Sequence, residues 1–168
     1  WGRLGATVTG VDFSDEAINA AKKLSRETGI KAEFICSDIF ALPEVLDKRF
    51  DIVFTSYGVL GWLPDLNRWG EIVAHYLKPG GFFYIAEFHP LFFTLGEQPD
   101  AELRIVTSYF SQENPYRYET GTDYASDFTH NLTSYEWRFT VGDVITALAK
   151  AGLRIQYLHE LPLCCFQA

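Results

Sequence analysis

The feature that most constrains the fold is an alternation of short apolar runs with amphipathic segments. FDIVFTS, residues 50–56, is almost continuously apolar, as expected for a strand that is buried on both faces of a parallel sheet. Three further runs have the β-branched or alternating pattern of strands: ATVTGV at 6–11, KAEFICSD at 31–38 and GFFYIAEF at 81–88. Strands that alternate with helices build βαβ units, so we predict a doubly wound, mostly parallel α/β sheet with helices on both faces.

Two of the amphipathic segments carry start and stop signals for helices. Residues 15–28 follow Ser14 or Asp15 as the cap and end at Gly29. Residues 67–81 end in the sequence KPGG, where proline and glycine are expected to halt the helix. Each helix follows a predicted strand, as the α/β pattern requires.

Residues 91–139 interrupt the pattern with a stretch that is rich in aromatic and turn residues. ELRIVTSYF at 102–110 and LTSYEWRFT at 132–140 alternate well enough to be strands of a hairpin or a small antiparallel sheet. A connection of this length is typical of a lid or a substrate cap. Its aromatic residues could roof a pocket or form the core of the cap, and we favour the core for most of them.

After the insertion the α/β pattern returns. VGDVITALAKAG is predicted to be a helix that begins after Thr140 and stops at Gly152, followed by LRIQYLHE as a final strand at 153–160. We therefore predict one domain over residues 1–168, with the aromatic-rich insertion as an inserted β cap.

Composition narrows the possible functions. The chain has 168 residues, of which 48% are hydrophobic, which suffices for the core of one domain. The net charge of −8 argues against a nucleic-acid partner that is held by phosphate contacts. No apolar run approaches the roughly 18 residues of a membrane span. The cysteines (Cys36, Cys164 and Cys165) and the histidines lack the spacing of metal ligands, so we expect no metal and reduced thiols in a cytoplasmic protein.

Polar residues close the first two predicted strands, at the sheet edge where doubly wound folds bind ligands. Asp12 ends the first strand, and Ser37 and Asp38 end the second. A carboxylate offers two acceptor oxygens to the adjacent hydroxyls of a ribose. Asp38 could accept a hydrogen bond from an exocyclic amine while Ile39 packs on an adenine. Either acid could instead serve a helix N-terminus, although Ser14 is also available as a cap beside Asp12.

Four segments resemble, in order and spacing, a class I S-adenosylmethionine-dependent methyltransferase of the bacterial small-molecule type: VTGVDFSDEAINAAKK, CSDIFALP, KRFDIVFTSYGVLGWLPDLNRW and HYLKPGGFFYIAEFHP. LTSYEWRFTVGDVITALAKAGLRIQYLHELP resembles the closing region of the same enzymes. The resemblance implies a Rossmann-like fold, S-adenosylmethionine as the cofactor and methyl transfer to a small-molecule acceptor. It assigns these residues to the cofactor: Asp12 to the ribose, Phe13 beside the adenine, Asp38 and Ile39 to the adenine amine and ring, Thr55, Ser56 and Tyr57 to the methionine and sulfonium end, and Ser37 to the cofactor in general.

In such an enzyme the protein aligns the acceptor with the methyl group and removes a proton when the acceptor is an O–H or N–H group. The catalytic candidates near the strand ends are Tyr57, Glu87 and His89. His89 could act as the base, or it could be hydrogen-bonded so that it holds the turn before Pro90. Trp62 could line the acceptor pocket or pack under the cap.

Two other functions stay open. A nicotinamide-dependent oxidoreductase also binds ribose through an acid such as Asp12, but the sequence contains no Tyr-x-x-x-Lys pair. A non-catalytic relative could keep the fold as a binding module, and the polar groups at every strand end argue against it. The sequence has no methionine and opens on Trp1, so we expect the glycine-rich cofactor loop of the family before it and the last, antiparallel strand after it.

Overall fold

The computed structural model describes residues 1–95, 104–110, 113–119, 121–122, 129–130 and 133–162. The helices are α1 (Asp15–Thr28), α2 (Leu42–Val45), α3 (Leu66–Tyr76) and α4 (Val141–Lys150). The strands are β1 (Val8–Asp12), β2 (Ala32–Cys36), β3 (Phe50–Ser56), β4 (Leu77–Ala86), β5 (Tyr116–Tyr118), β6 (Gly121–Thr122), β7 (Thr129–His130) and β8 (Ser134–Glu136). Short 3-10 helices span Gly2–Leu4, Leu60–Trp62 and Pro90–Thr94. The chain divides into two compact units, Trp1–Lys48 and Arg49–Ala168.

The first unit is built on a parallel pair of strands. β1 and β2 pair from Val8 opposite Ala32 to Asp12 opposite Cys36, which confirms the parallel pairing that the sequence predicts. Because parallel strands point the same way, their carboxyl ends lie at one edge of the pair. This register sets Asp12 beside the end of β2.

Helix α1 has the boundaries that its local signals predict. The Oγ of Ser14 accepts the N–H of Ala17 at 3.1 Å and so caps the first turn. The helix ends at Gly29, whose φ of 68° lies in the left-handed region that glycine adopts without steric cost. Ile18 is buried on the inner face of the helix.

The second unit contains the parallel pair β3 and β4, with Phe54 opposite Tyr84. Helix α3 packs on one face of this pair, where the Trp69 ring stands edge-on to the Phe83 ring at a centroid distance of 5.6 Å. Trp69 is only 1% exposed, which makes it a central residue of the core. The strand pairing and the covering helix agree with the predicted α/β architecture.

The predicted end of this helix is wrong. We expected it to run to Gly81, but α3 stops at Tyr76 and Leu77 already pairs with Phe50 as the first residue of β4. A Cβ atom at Gly81 would lie 2.8 Å from the carbonyl oxygen of Asp51. Glycine at this point therefore lets the two backbones approach at the irregularity in the ladder, so it serves the sheet and not the helix end.

The insertion contains antiparallel β structure, as predicted, but with a different pairing. β8, within the predicted strand 132–140, pairs with β5, so that Tyr116 lies opposite Glu136. The predicted partner, 102–110, contributes an isolated bridge between Ile105 and Leu95 in its described part. The hairpin prediction is therefore wrong in its partner, because alternation identifies a strand but not the strand to which it bonds.

The closing region forms the predicted helix but not the predicted strand. The side chain of Thr140 accepts the N–H of Asp143, and the Asp143 carboxylate accepts the N–H of Thr140, which together make a capping box at the start of α4. Residues 153–160 are described and are not assigned to a strand. Their side chains Tyr157 and Leu158 are exposed. Alternating apolar residues suggest a strand, but without a paired neighbour they do not make one.

Helices α3 and α4 pack closely in the second unit. A Cβ atom at Gly70 of α3 would lie 2.9 Å from the carbonyl oxygen of Ala147 in α4. The buried residues of α4 are Ala147 and its neighbour Leu148. The absence of a side chain at Gly70 therefore sets the distance between the two helices.

Candidate functional site

Asp12 ends β1, and only one of its two carboxylate oxygens makes a hydrogen bond to a described residue. Its Oδ1 accepts the N–H of Ser14 at 2.8 Å, and its carbonyl oxygen accepts the N–H of Ser37 at 2.9 Å. Ser14 caps α1, so the helix does not depend on Asp12 as its cap residue. Asp12 is exposed, and its Oδ2 has no hydrogen bond to any described residue. Next to it, the ring of Phe13 is 71% exposed. Both side chains are open to a ligand.

Asp38 follows β2 and closes a tight turn. Its Oδ1 accepts the N–H of Phe40 at 2.6 Å, and its carbonyl oxygen accepts the Ser37 hydroxyl at 2.9 Å. Asp38 is exposed and Ile39 is half-buried in the same turn. The first unit thus brings the predicted adenosine-binding residues to the carboxyl ends of β1 and β2.

Three residues end β3 in the second unit, and they differ in accessibility. The Tyr57 N–H donates to the carbonyl oxygen of Ala86 at 2.8 Å, and the Tyr57 ring lies 5.9 Å from the Phe88 ring. Tyr57 is 53% exposed, and its hydroxyl has no hydrogen bond to a described residue. The Thr55 hydroxyl is buried without a partner there, and Ser56 is half-buried. Of the three, Tyr57 is the residue that a small molecule could reach directly.

Glu87, the residue after β4, binds the backbone that follows β3. Its Oε2 accepts the N–H of Gly58 at 2.7 Å and that of Phe88 at 3.3 Å. Its Oε1 accepts the N–H of Val59 at 2.9 Å and that of Leu60 at 3.2 Å. Both carboxylate oxygens are therefore engaged with backbone donors.

Both nitrogens of His89 are also engaged. Nδ1 accepts the N–H of Leu91 at 3.2 Å, which caps the short helix Pro90–Thr94. Nε2 lies 2.7 Å from Oε1 of Glu160. Because Nδ1 acts as an acceptor, the proton sits on Nε2 and is donated to the carboxylate. This arrangement matches the alternative in which His89 holds the turn.

Aromatic rings surround the start of the insertion. The rings of Phe88, Phe92 and Phe93 lie with their centroids 5.5 to 6.2 Å apart, and Phe88 also contacts Tyr57. Trp62 is 53% exposed at the end of a 3-10 helix. We call Tyr57, Phe88, Phe92 and Phe93 the aromatic cluster. Such a surface suits an apolar or aromatic small molecule.

Arg138, which the sequence did not single out, organises the insertion. Its Nη1 donates to the carbonyl oxygen of Phe93 at 2.8 Å and to the Thr107 hydroxyl at 2.7 Å, and its Nη2 donates to the Tyr118 hydroxyl. The guanidinium lies 4.1 Å from the centre of the Tyr116 ring. The planar guanidinium holds its N–H donors in a fixed arrangement, so this one side chain can join three separate segments of the insertion.

Glu136 is the last residue of β8 and lies two residues before Arg138. Burial raises the pKa of its carboxyl above the ordinary value of 4.5, and the charge on Arg138 offsets only part of this effect. The alternation of Glu136, Trp137 and Arg138 could have indicated that the two charged side chains share one face. It could not have shown that this face is partly buried.

The described residues contain no group of three His, Cys, Asp or Glu side chains that could hold a metal ion. Cys36 is a free, exposed thiol, while Cys164 and Cys165 lie outside the described residues. Among the described helices, none has the length and apolar character that crossing a membrane would need. His75 and His159 make ring contacts with the neighbouring Tyr76 and Tyr157.

A family model described as a methyltransferase domain matches residues 3–143, which is most of the chain. The chain belongs to this methyltransferase family. The resemblance to class I S-adenosylmethionine-dependent methyltransferases is thereby confirmed. One curated relative of the methyltransferase is the ubiquinone biosynthesis O-methyltransferase of Pseudoalteromonas translucida, which is 35% identical over 104 residues, or 62% of this chain and 41% of the relative. The chain spans less than half the length of the curated relatives that it matches.

Solved structures share the fold of this methyltransferase. An S-adenosylmethionine-dependent methyltransferase from Clostridium acetobutylicum matches with a TM-score of 0.64 and 19% identity, over 90% of this chain and 66% of that chain. The glycopeptide N-methyltransferase MtfA in complex with S-adenosyl-L-methionine matches with a TM-score of 0.57 and 21% identity, over 90% of this chain and 64% of that chain. These similarities confirm the Rossmann-like α/β fold.

Proposed function

We propose that this methyltransferase transfers the methyl group of S-adenosylmethionine to a small-molecule acceptor. The observation that carries the proposal is the uncommitted carboxylate of Asp12 at the end of β1, with the exposed Phe13 ring beside it. An acceptor oxygen and an open aromatic face are what an adenosine needs, the first for its ribose hydroxyls and the second for its adenine. Asp38 and Ile39 in the neighbouring turn are proposed to contact the adenine, and Ser37 lies between the two acids.

Thr55, Ser56 and Tyr57 are proposed for the methionine end of the cofactor, as the resemblance implies, and Tyr57 also for the acceptor. S-adenosylmethionine brings a methyl group on a positively charged sulfur, so the protein needs mainly to align the acceptor and exclude water. Tyr57 is the exposed candidate among Thr55, Ser56 and Tyr57. It is also the one catalytic candidate whose polar atom is not engaged by a described residue, unlike Glu87 and His89.

An apolar or aromatic acceptor is supported by the aromatic cluster and by the exposed Trp62. The relatives named above act, by their names, in ubiquinone biosynthesis and on a glycopeptide, so O–H and N–H acceptors both occur among similar proteins. The family match does not favour a nicotinamide-dependent oxidoreductase. We further propose a bacterial, cytoplasmic protein, because curated relatives come from bacteria such as Pseudoalteromonas translucida and Coxiella burnetii and Cys36 is a free thiol.

The test is a calorimetric titration of S-adenosylhomocysteine into the full-length protein and into its Asp12→Asn variant. Asparagine keeps one carbonyl oxygen for the Ser14 N–H, so the turn after β1 is retained while the charge and one acceptor are lost. Loss of one charge-assisted hydrogen bond costs about 1.5–3 kcal/mol, so we expect the affinity to fall by about tenfold or more.

Asp15→Asn is the matched control, because Asp15 is an exposed acid in the first turn of α1, three residues after Asp12, and the charge change is identical. Its affinity for S-adenosylhomocysteine is expected to equal that of the wild type. Equal binding by Asp12→Asn and the wild type would refute the ribose contact. No binding by the wild type would refute the proposed cofactor.

A further inference from the structure

We infer that Glu87 is a positioning residue, whose carboxylate fixes the loop at 57–60 and does not take a proton from the acceptor. The inference rests on the proposed function, because it assigns a task to a residue beside the proposed acceptor site. It differs from the sequence prediction, in which Glu87 was a candidate base. The observations that carry it are the four hydrogen bonds that this one side chain accepts.

The carboxylate has no free acceptor position. An ionised carboxylate presents about four lone-pair directions on its two oxygens. Each oxygen of Glu87 receives two backbone N–H groups, at distances from 2.7 to 3.3 Å. A general base must have a lone pair within reach of the proton that it removes. Glu87 could act as a base only after breaking one of these bonds.

The bonds converge on one short loop. Three of the four donors are the consecutive N–H groups of Gly58, Val59 and Leu60. Three successive amides can aim at one acceptor only when the chain turns sharply, and Gly58 permits this with a φ of 81°. Without Glu87 these amides would lose their shared acceptor.

We call the Glu87 carboxylate and the N–H groups of Gly58, Val59 and Leu60 the clamp, and the exposed Tyr57 directly precedes this loop. The Tyr57 N–H is bonded to Ala86, the residue before Glu87, and its ring contacts Phe88, the residue after it. Contacts with the residues on either side of Glu87 therefore hold Tyr57 beside the end of β4. Since methyl transfer depends on the alignment of acceptor and methyl group, a loosened loop would impair binding and alignment together.

The experiment compares the wild type with Glu87→Gln by amide hydrogen exchange of residues 58–60 and by calorimetric titration of S-adenosylhomocysteine. The glutamine amide keeps one acceptor oxygen and replaces the other by an N–H₂ donor, so two of the four backbone donors lose their partner. We expect exchange at 58–60 to accelerate by about tenfold or more. The affinity for S-adenosylhomocysteine should weaken by a similar factor, while exchange in α3 stays unchanged.

Glu71→Gln is the matched control, because Glu71 is an exposed acid on α3 of the same unit. It should leave both measurements at their wild-type values. If Glu87→Gln leaves the exchange of residues 58–60 unchanged, the carboxylate does not fix the loop and the inference is wrong. Unprotected amides at 58–60 in the wild type would overturn it even if the variant did not fold. A wild type that protects these amides but does not bind S-adenosylhomocysteine would refute the proposed function while the clamp stands.

Discussion

Replacing Gly70 by alanine should destabilise the protein, although alanine is the better helix former. Alanine in a helix interior is favoured over glycine by about 1 kcal/mol. At Gly70 the added methyl group would lie 2.9 Å from the carbonyl oxygen and 3.2 Å from the carbonyl carbon of Ala147. Ordinary contacts between carbon atoms are about 3.5 Å or longer, so the helices must separate by several tenths of an ångström. Overpacking of this kind costs about 1–3 kcal/mol, and a backbone oxygen cannot rotate away. The expected net effect is a loss of up to about 2 kcal/mol.

The assay is urea unfolding followed by circular dichroism, with Gly142→Ala as the control. A Cβ atom at Gly142 would meet the Thr140 hydroxyl at 3.5 Å, which is an ordinary contact. Because Gly142 is exposed near the start of α4, its substitution should raise the free energy of unfolding by up to about 1 kcal/mol. The two variants should therefore shift the midpoint in opposite directions at an unchanged m-value. An increase in stability for Gly70→Ala would refute the close packing of α3 and α4 on which the prediction rests.

Two further predictions concern the insertion. Arg138→Lys should lower the free energy of unfolding by about 2–3 kcal/mol, because a single ammonium cannot replace the fork that reaches three acceptors. Arg117→Lys on β5, where the exposed arginine pairs with Glu119, should change it by less than about 0.5 kcal/mol, and equal losses in urea unfolding would contradict the role of Arg138. The raised pKa of Glu136 means that the folded state holds a proton where the unfolded chain has released it. The stabilisation from this proton is therefore complete below pH 4.5 and is lost as the pH rises through the higher, folded pKa. Glu136→Gln should remove this part of the decline in stability above pH 4.5, and an unchanged slope would show that burial of Glu136 does not affect stability.

Local signals predicted those parts of the fold that local chemistry decides. Ser14 and Gly29 bound α1 as expected, because a cap needs only its own turn. The end of α3 was misplaced because Leu77 is held by pairing with Phe50, a contact that no local pattern reveals. The strand predicted at 153–160 failed for the related reason that pairing decides whether an apolar alternation becomes a strand.

The residues of the candidate site also divide into those that the local sequence predicts and those whose roles depend on distant contacts. Asp12 could be chosen from sequence because the end of a parallel strand is a general ligand position. The role of Glu87 could not, because its three loop donors lie 27 to 29 residues earlier in the chain. Arg138 was missed since its partners Phe93, Thr107 and Tyr118 come from three separate segments. For both Glu87 and Arg138, the sequence shows which hydrogen bonds the side chain can make but not which residues are its partners.

The engagement of Glu87 and His89 bears on how the proposed reaction would be accelerated. Methyl transfer from a sulfonium needs no activation of the leaving group, because its positive charge is neutralised as the carbon–sulfur bond breaks. The dominant contribution that a protein can make is then to hold the acceptor in line, which can supply about 7–11 kcal/mol of the barrier. A loop at 57–60 that is fixed by Glu87, as inferred above, would serve that purpose better than a mobile carboxylate. Two ionisable side chains that accept hydrogen bonds from backbone N–H groups, beside one exposed tyrosine, thus support the proposal of an enzyme that works by alignment.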